Sequence, residues 1–511
     1  MSARIWAGPG TRVSPTGSEQ YVCSTATAAA WVSVTAVYAR VVRISKYRID
    51  GLGHLSTLIA DEDAGVAAVV DPRRDVDIYL DAARDAGLRI THVLETHLHN
   101  DYVSGARDLA ALTGATHVIG AGAELRHDYA PARDGDTVDI GSLRFTAQDT
   151  PGHTPEHVTY AVSDRSRADD PLLLLTGGSL LVGAVGRTDL LGEAHAIDYA
   201  HAMHHSLHEV ILRHEDYVTI YPTHGAGSLC STGIASTPTS TIGYERRHDP
   251  LLSIADVDAF AERLLRGQPT IPRYFARMRP LNQAGPPLLG GRVPQIPPLT
   301  VEAVRAALDD EALVIDTRPP AVHAAGQVPG SLSIPAGSSF GTWLGWVVDP
   351  DRPLILVVDD PSATDDLARQ AMRIGCDQIT GFLDGGFDGW VRAGGPVVVG
   401  GQDSVDALAR DLSGDPASAP LVIDVRQRSE FEEGHVPGAW HITAGSLGDR
   451  LEDLPRDRPI ATICASGYRA SVAASLLRAA GFKTVHSIAD GVPAWRAAGH
   501  AVETGPGPGR T

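Results

Sequence analysis

The stretch E-T-H-L-H-N-D-Y-V-S-G, Glu95 to Gly105, follows directly on the apolar run I-T-H-V-L, Ile90 to Leu94. Two histidines two positions apart, with an aspartate two further on, are a compact way to present cation ligands. A third histidine at the next position would complete a binuclear site, but the chain has Tyr102 there. The segments before it read as an alternating α/β pattern. V-A-A-V-V-D (Val66 to Asp71) is a buried strand, and D-V-D-I-Y-L-D-A-A-R-D-A-G (Asp75 to Gly87) an amphipathic helix stopped by glycine. I-T-H-V-L-E-T-H (Ile90 to His97) is the next strand, with its chemistry at the C-terminal end.

Three further segments set polar groups just after apolar runs. They are P-G-H-T-P-E-H (Pro151 to His157), L-T-G-G-S-L-L-V-G-A-V-G-R-T-D-L (Leu175 to Leu190) and Y-P-T-H-G-A-G-S (Tyr221 to Ser228). A lone histidine is more often an ordinary core or surface residue, and His54, His92 and His127 are read that way. The ordered set Thr96–Tyr102, His153 and His224 is a different matter and predicts one metal site. Cys230 lies just beyond H-G-A-G-S, near the expected mouth. It reads equally as a thiol that receives sulfur and as a small apolar residue. Arg187 would either hold a substrate carboxylate or pair with Asp189.

The Pro/Gly-rich segment A-G-P-P-L-L-G-G-R-V-P-Q-I-P-P-L (Ala284 to Leu299) reads as a linker. Beyond it the chain repeats. L-V-I-D-T-R-P-P-A-V-H-A-A-G-Q-V-P-G (Leu313 to Gly330) returns as L-V-I-D-V-R-Q-R-S-E-F-E-E-G-H-V-P-G (Leu421 to Gly438), and D-G-G-F-D-G-W ending at Trp390 returns as I-A-D-G-V-P-A-W ending at Trp495. Two small tandem α/β domains with mainly parallel sheets follow.

The second copy contains A-T-I-C-A-S-G-Y-R-A-S-V-A-A-S-L-L (Ala461 to Leu477), a strand running into Cys464, a six-residue loop and a helix starting near Ala470. Successive backbone N–H groups and the helix N-terminus can point at the sulfur, and Arg469 adds positive charge. Both favour thiolate. Gly467 permits the turn. These residues resemble the rhodanese family of sulfurtransferases, which implies that Cys464 carries a persulfide cradled by its loop. Six residues suit sulfur, whereas the related phosphatase domains have one more. In the first copy Val358 stands opposite Cys464, and Cys376 lies beyond the following helix, so that repeat is expected to be catalytically silent and to serve packing or to complete a cleft between domains.

The full set resembles the metallo-β-lactamase fold, an αββα sandwich, and more closely its persulfide dioxygenase branch fused to tandem rhodanese domains. V-V-D-P-R-R-D-V-D (Val69 to Asp77), V-G-R-T-D-L (Val185 to Leu190) and S-T-I-G-Y-E (Ser240 to Glu245) add to the likeness. The resemblance implies one Fe(II) per chain, with Zn(II) as the alternative ion. His97 and His153 would be ligands, together with the aspartate of a T-G-D segment. Here that segment reads Thr176-Gly177-Gly178, so the carboxylate is missing. His99, Asp101 and His224 remain as further ligands or supporting groups. Losing the aspartate and having Tyr102 both argue against a binuclear zinc hydrolase.

At 511 residues, several domains are expected, and a net charge of −19 argues against nucleic acid or an anionic membrane as partner. Four scattered cysteines fit a reducing cytoplasm better than a disulfide framework. Ser and Thr interrupt the uncharged run 20–39 too often for a membrane span. The expected divisions are a poorly ordered extension (1–46), a metallo-β-lactamase-like domain (47–283) and a linker (284–298). A rhodanese-like domain without a catalytic cysteine (299–399), one with Cys464 (400–505) and a tail (506–511) follow.

The resemblance implies oxidation of a small-molecule persulfide by O2 to sulfite at the metal, then transfer of sulfane sulfur through Cys464 to sulfite, giving thiosulfate. A sulfurtransferase with a scaffold first domain, and a non-catalytic persulfide sensor or docking protein, are the alternatives. A homo-oligomer is compatible with the sequence.

Overall fold

The computed structural model describes residues 42–507. The expected extension is not a separate segment up to residue 46, because Val42–Ile49 is the first strand, β1. Apolar Val42 and Ile44 alternate with Arg43 and Ser45, the period of a half-covered edge strand. Residues 1–41 and 508–511 lie outside the described residues, so the remainder of the extension and the last four residues of the tail are not addressed.

The strands of the first sheet are β1, β2 (His54–Asp61), β3 (Val66–Val70), β4 (Arg89–Leu94), β5 (Thr116–Gly120) and β6 (Ala130–Ala132), in that spatial order. The second sheet runs β12 (Ser240–Thr241), β11 (Thr219–Pro222), β10 (Leu173–Gly177), β9 (Val158–Asp164), β8 (Leu143–Asp149), β7 (Thr137–Ile140). The pleat explains the layering. Ile59, Ala68, Val70 and Leu94 face inward and meet Phe145, Val158, Tyr160 and Leu175 of the second sheet. Their neighbours Leu58, Ala60, Val69 and Val93 face outward onto Tyr79 and Leu109 of the helices Asp77–Asp85 and Ala106–Thr113. On the far side Leu174 and Ile220 pack on Met203, Phe260 and Leu264 of the helices Glu193–His205 and Val257–Leu265. Both faces of each sheet are covered, which makes β2 buried along its whole length and gives an αββα sandwich.

Two five-stranded sheets follow. In the first repeat β13 (Pro298–Leu299), β14 (Leu313–Asp316), β15 (Leu332–Ser333), β16 (Leu354–Val357) and β17 (Ile379–Leu383) lie in the order β13-β17-β16-β14-β15, all pairs parallel. The second repeat copies this with β18 (Gly401–Asp403), β19 (Leu421–Asp424), β20 (Trp440–His441), β21 (Ile460–Ile463) and β22 (Val485–Ile488) in the order β18-β22-β21-β19-β20.

The first repeat packs directly on the sandwich. Phe340, Leu344 and Cys376 share one apolar cluster with Tyr102, Val103, Cys230 and Tyr274. Arg373 pairs with the fully buried Asp75 (2.8 and 2.5 Å), Arg74 pairs with Asp377 (2.6 and 2.8 Å), and Val103 N–H donates to the Arg373 carbonyl (2.7 Å). The expected packing role of the silent repeat thus falls against the segment that carries the His97 motif. Between the repeats, Ser333 N–H donates to Ser475 Oγ (3.0 Å) and Tyr468 OH to the Pro335 carbonyl (3.2 Å). Among the described residues no helix is long and apolar enough to cross a membrane.

Candidate functional site

The predicted site residues sit just past strand ends. His97 follows β4, His153 lies in the β8–β9 loop, Gly178 follows β10 and His224 follows β11. Backbone bonds close these ends together: Val158 N–H donates to the Thr96 carbonyl (2.8 Å), and Thr223 N–H to the Gly177 carbonyl (3.0 Å). One ligand atom from each of His97, His153 and His224 comes within 4.8 Å of the others, all three residues being buried. Two metal–nitrogen bonds of about 2.1 Å each span at most about 4.2 Å, and about 3.4 Å at a tetrahedral angle.

The supporting bonds fix which nitrogens face inward. The Arg187 carbonyl accepts from His153 Nδ1 at 2.8 Å, which leaves Nε2 with its lone pair and without a hydrogen-bond partner. Thr96 Oγ1 donates to Asp71 (3.0 Å) and can therefore accept from His97 Nδ1 (2.8 Å), leaving His97 Nε2 equally without partner. Orienting a ligand histidine through its other nitrogen is the usual second layer of a metal site. Burial, then neighbouring histidines, pushes His97 well below its ordinary value. Burial, then His224, pushes His153 down to about 3. Both are neutral imidazoles at neutral pH, as metal ligands must be. For Asp101 burial works upward, but His224, His99 and His54 outweigh it and hold the carboxyl below the usual range. For His224 burial works downward, but Cys230 and Asp101 outweigh it and hold the imidazole well above its ordinary value.

Not every expected ligand joins the cluster. His99 lies outside the three-histidine group, its Nε2 3.2 Å from Asp71 and 3.7 Å from Glu95, which is the place of a supporting group and not of a ligand. Of the two readings of Arg187 the structure shows the pairing with Asp189: its guanidinium is engaged by Asp189 (2.6 and 2.8 Å) and by the carbonyls of Leu229 and Pro269 (3.0 and 2.9 Å), and so does not present a free cation to substrate. Asp101 and Cys230 lie beside His224, their ligand atoms also mutually within 4.8 Å. Tyr102 OH donates to the Asp71 carbonyl (3.2 Å) and its ring packs on His99 and His54, so it is a wall and not a ligand.

Position 178 shows why no carboxylate is there. A Cβ on Gly178 would lie 2.2 Å from His153 Cδ2, so the imidazole occupies the space that a side chain would need. The residues present fit a divalent transition metal on three imidazoles. The carboxylate expected at position 178 is absent, and Asp101 beside His224 is the carboxylate nearest the set.

Three residues escaped the sequence. Asp71 accepts from Thr96 N–H (2.7 Å), Thr96 Oγ1 and Thr223 Oγ1, clamping the His97 and His224 loops together. His157 stacks on His97 with its ring centroid 5.2 Å away, and its Nε2 accepts Gly178 N–H (3.0 Å). His54, expected to be ordinary, is buried with neither nitrogen bonded and its ring centroid 4.0 Å from that of Tyr102. The only sequence hint was a carboxylate or imidazole placed directly at a strand end or within the P-G-H-T-P-E-H loop.

In the second repeat Cys464 immediately follows β21, as Val358 follows β16. Gly467 N–H donates to Cys464 Sγ (3.1 Å). Gly467 has φ +86°, and a Cβ there would meet the Ala489 carbonyl at 2.3 Å, so the loop requires glycine. The helix begins at Tyr468, two residues before the expected start. Arg469 is held by Glu430 through two bonds (2.6 and 2.7 Å), so its charge is shared with a carboxylate. In the first repeat the corresponding place is a cavity of about 490 Å³ lined by Val358 and Asp359, which offers no thiol. Burial pushes the Cys376 thiol up to about 12, which makes it inert.

The Metallo-beta-lactamase superfamily model matches residues 49–224, and the Rhodanese-like domain model matches 300–393 and 404–498. Mitochondrial persulfide dioxygenase ETHE1 of Homo sapiens is 31% identical over 209 residues, 39% of this chain and 71% of that protein. Its Bos taurus counterpart is 29% identical over 204 residues, with the same coverage of 39% and 71%. The crystal structure of a metallo-beta-lactamase from Staphylococcus aureus subsp. aureus COL is 30% identical, covers 67% of this chain and 98% of that one, and superposes with a TM-score of 0.61. The chain belongs to the metallo-beta-lactamase superfamily as a relative of the persulfide dioxygenases, and its two tandem rhodanese-like domains place it in sulfur metabolism.

Proposed function

We propose that the protein oxidises a low-molecular-weight persulfide with O2 in its first domain and passes sulfane sulfur through Cys464 in its last. The observation that carries the first half is the set of inward-facing, unpartnered nitrogens on His97 and His153, with His224 beside them. Buried polar atoms are nearly always satisfied, so such a group calls for an ion. Fe(II) on these imidazoles would supply the redox chemistry that couples O2 to sulfur. The net conversion takes one persulfide, one O2 and one water to one thiol and one sulfite. Asp71 and the Arg187 carbonyl keep the two histidines in their ligating tautomers, and Tyr102 closes one wall. The histidines are 0–1% exposed, so a bound ion would be shielded from bulk water.

Cys464 takes the outer sulfur of a second persulfide, releasing thiol, and gives that sulfur to sulfite as thiosulfate. The Gly467 N–H that reaches Sγ supports the anionic sulfur during transfer. Gly178 favours a second reading, sulfur transfer alone, because the expected carboxylate is gone. Thiosulfate-to-cyanide sulfur transfer measured beside the iron content of the purified protein separates them. The two-step reading expects both iron and transfer; transfer with no iron bound after reconstitution supports the second.

A further inference from the structure

Arg187 reaches beyond the metal cluster. Its carbonyl accepts from His153 Nδ1 (2.8 Å), and its buried guanidinium donates from Nη1 to the Pro269 carbonyl (2.9 Å). The next residue touches the second repeat: Thr270 N–H donates to Gln427 Oε1 (3.2 Å). Gln427 caps the helix Arg428–Glu432 reciprocally. Its side chain accepts the Glu430 N–H, and its own N–H donates to Glu430 Oε2 (3.0 Å). Glu430 holds Arg469 through two bonds (2.6 and 2.7 Å), and Arg469 closes the loop that starts at Cys464.

Directly bonded groups therefore run from His153 to the Cys464 loop. Such a network transmits coupling when one of its members has two arrangements. Arg469 is that member. With an uncharged thiol at Cys464, the Glu430 carboxylate is its partner. A charge on the sulfur also favours the guanidinium, and a sulfane sulfur extends that anion beyond Sγ. Two anions then compete for one cation. Bonds between charged groups are the strong ones, so the outcome is felt at Glu430. Once Glu430 is loosened from Arg469, the Gln427 cap is unsettled, and with it the bond to Thr270.

We infer that Gln427 is a positioning residue that couples the two centres. Sulfur on Cys464, felt through Arg469, Glu430, Gln427 and Thr270, loosens the hold of Arg187 on His153. Metal affinity at the histidines falls when Cys464 is loaded. By linkage, metal at the histidines disfavours sulfur on Cys464 by the same factor. The link adjusts each centre, and neither requires it. This inference rests on the reading that the histidines bind metal and Cys464 carries sulfur.

The test uses full-length protein stripped of metal, with and without sulfur on Cys464. Thiosulfate loads it: the Cys464 thiolate bonds to the outer sulfur, the S–S bond of thiosulfate breaks, and sulfite leaves with the electron pair. Thiocyanate released by cyanide counts the sulfur taken up. Each form is titrated with Co(II) without oxygen, against a chromophoric chelator. Loading should lower the cobalt affinity of the wild type by about fivefold or more. Cys464→Ser, treated alike, should keep the affinity of the unloaded wild type. Gln427→Ala should bind cobalt as the loaded wild type does, whether loaded or not. Equal affinity in the two wild-type forms, or a higher one on loading, overturns the coupling and leaves both centres standing. A shift that persists in Gln427→Ala overturns the route through that residue. Failure to bind cobalt, or to take up sulfur, overturns the underlying reading as well.

Discussion

The imidazole of His153 lies over Gly178, where a Cβ would approach His153 Cδ2 to 2.2 Å. The absence of a carboxylate and the placing of this histidine are therefore one fact. A ring pinned by the Arg187 carbonyl cannot share that space with an aspartate. Gly178→Asp is expected to displace His153 and weaken cobalt or iron binding by about tenfold or more, the scale on which disturbed ligand support acts. Metal titration of wild type and variant checks this, and tighter binding by the variant would show that the site is a decayed carboxylate site.

Asp71 should matter to the site without touching a metal. It holds the Thr96 hydroxyl that orients His97, and it also bonds Thr223 beside His224. Asp71→Asn keeps the size of the side chain but removes its charge and half of its acceptor capacity. Metal affinity is expected to fall about tenfold to a hundredfold, while thiosulfate-to-cyanide transfer at Cys464 stays unchanged. Parallel measurement of the two separates positioning from global damage.

In the last domain Cys464→Ser should abolish sulfur transfer with the fold retained. Gly467→Ala should act on the same reaction by a different route. At φ +86° alanine carries about 1–3 kcal/mol of backbone strain, and its methyl would meet the Ala489 carbonyl. The N–H now on Cys464 Sγ would move, so transfer should fall steeply in kcat. An unchanged kcat would mean that the loop does not hold the sulfur.

His323 makes the first repeat acid-sensitive. Burial, then Arg478 and Arg318, pushes this histidine down to about 3 from its ordinary 6.5. The unfolded chain takes up a proton as pH falls through its ordinary value, and the folded chain does not until near 3. Stability is therefore complete above the ordinary value and is lost progressively below it. At about pH 5 the loss is ~2 kcal/mol. The second repeat has Phe431 in the equivalent position, so His323→Phe should remove the loss. Denaturant unfolding should show the variant gaining on the wild type at pH ~5 relative to pH ~8, and an equal difference at both would refute the assignment.

The family pattern was legible because strands end in their chemistry: His97, His153, His224 and Cys464 each follow or lie between apolar runs. The repeat was legible because Leu313–Gly330 and Leu421–Gly438 match residue for residue at the turns. Roles set by contacts across the sandwich were not. His99 looks like His97 in sequence, yet its nitrogen faces Asp71 and Glu95. Arg187 looks like a substrate cation, yet Asp189 and two carbonyls engage it. Whether Gly178 is a loss or a requirement depended on the His153 ring, which lies far from it in the chain. The strand Val42–Ile49 did carry a period-two pattern, but its basic residues masked it as an extension.

The central claim is that the buried histidines carry persulfide oxidation independently of the thiol in the last domain. Oxygen uptake by iron-reconstituted protein given a low-molecular-weight alkyl persulfide tests it most directly. The account predicts uptake that persists in Cys464→Ser and is lost in His153→Ala. Stoichiometric iron with no persulfide-dependent uptake in the wild type, or uptake undiminished in His153→Ala, would contradict it.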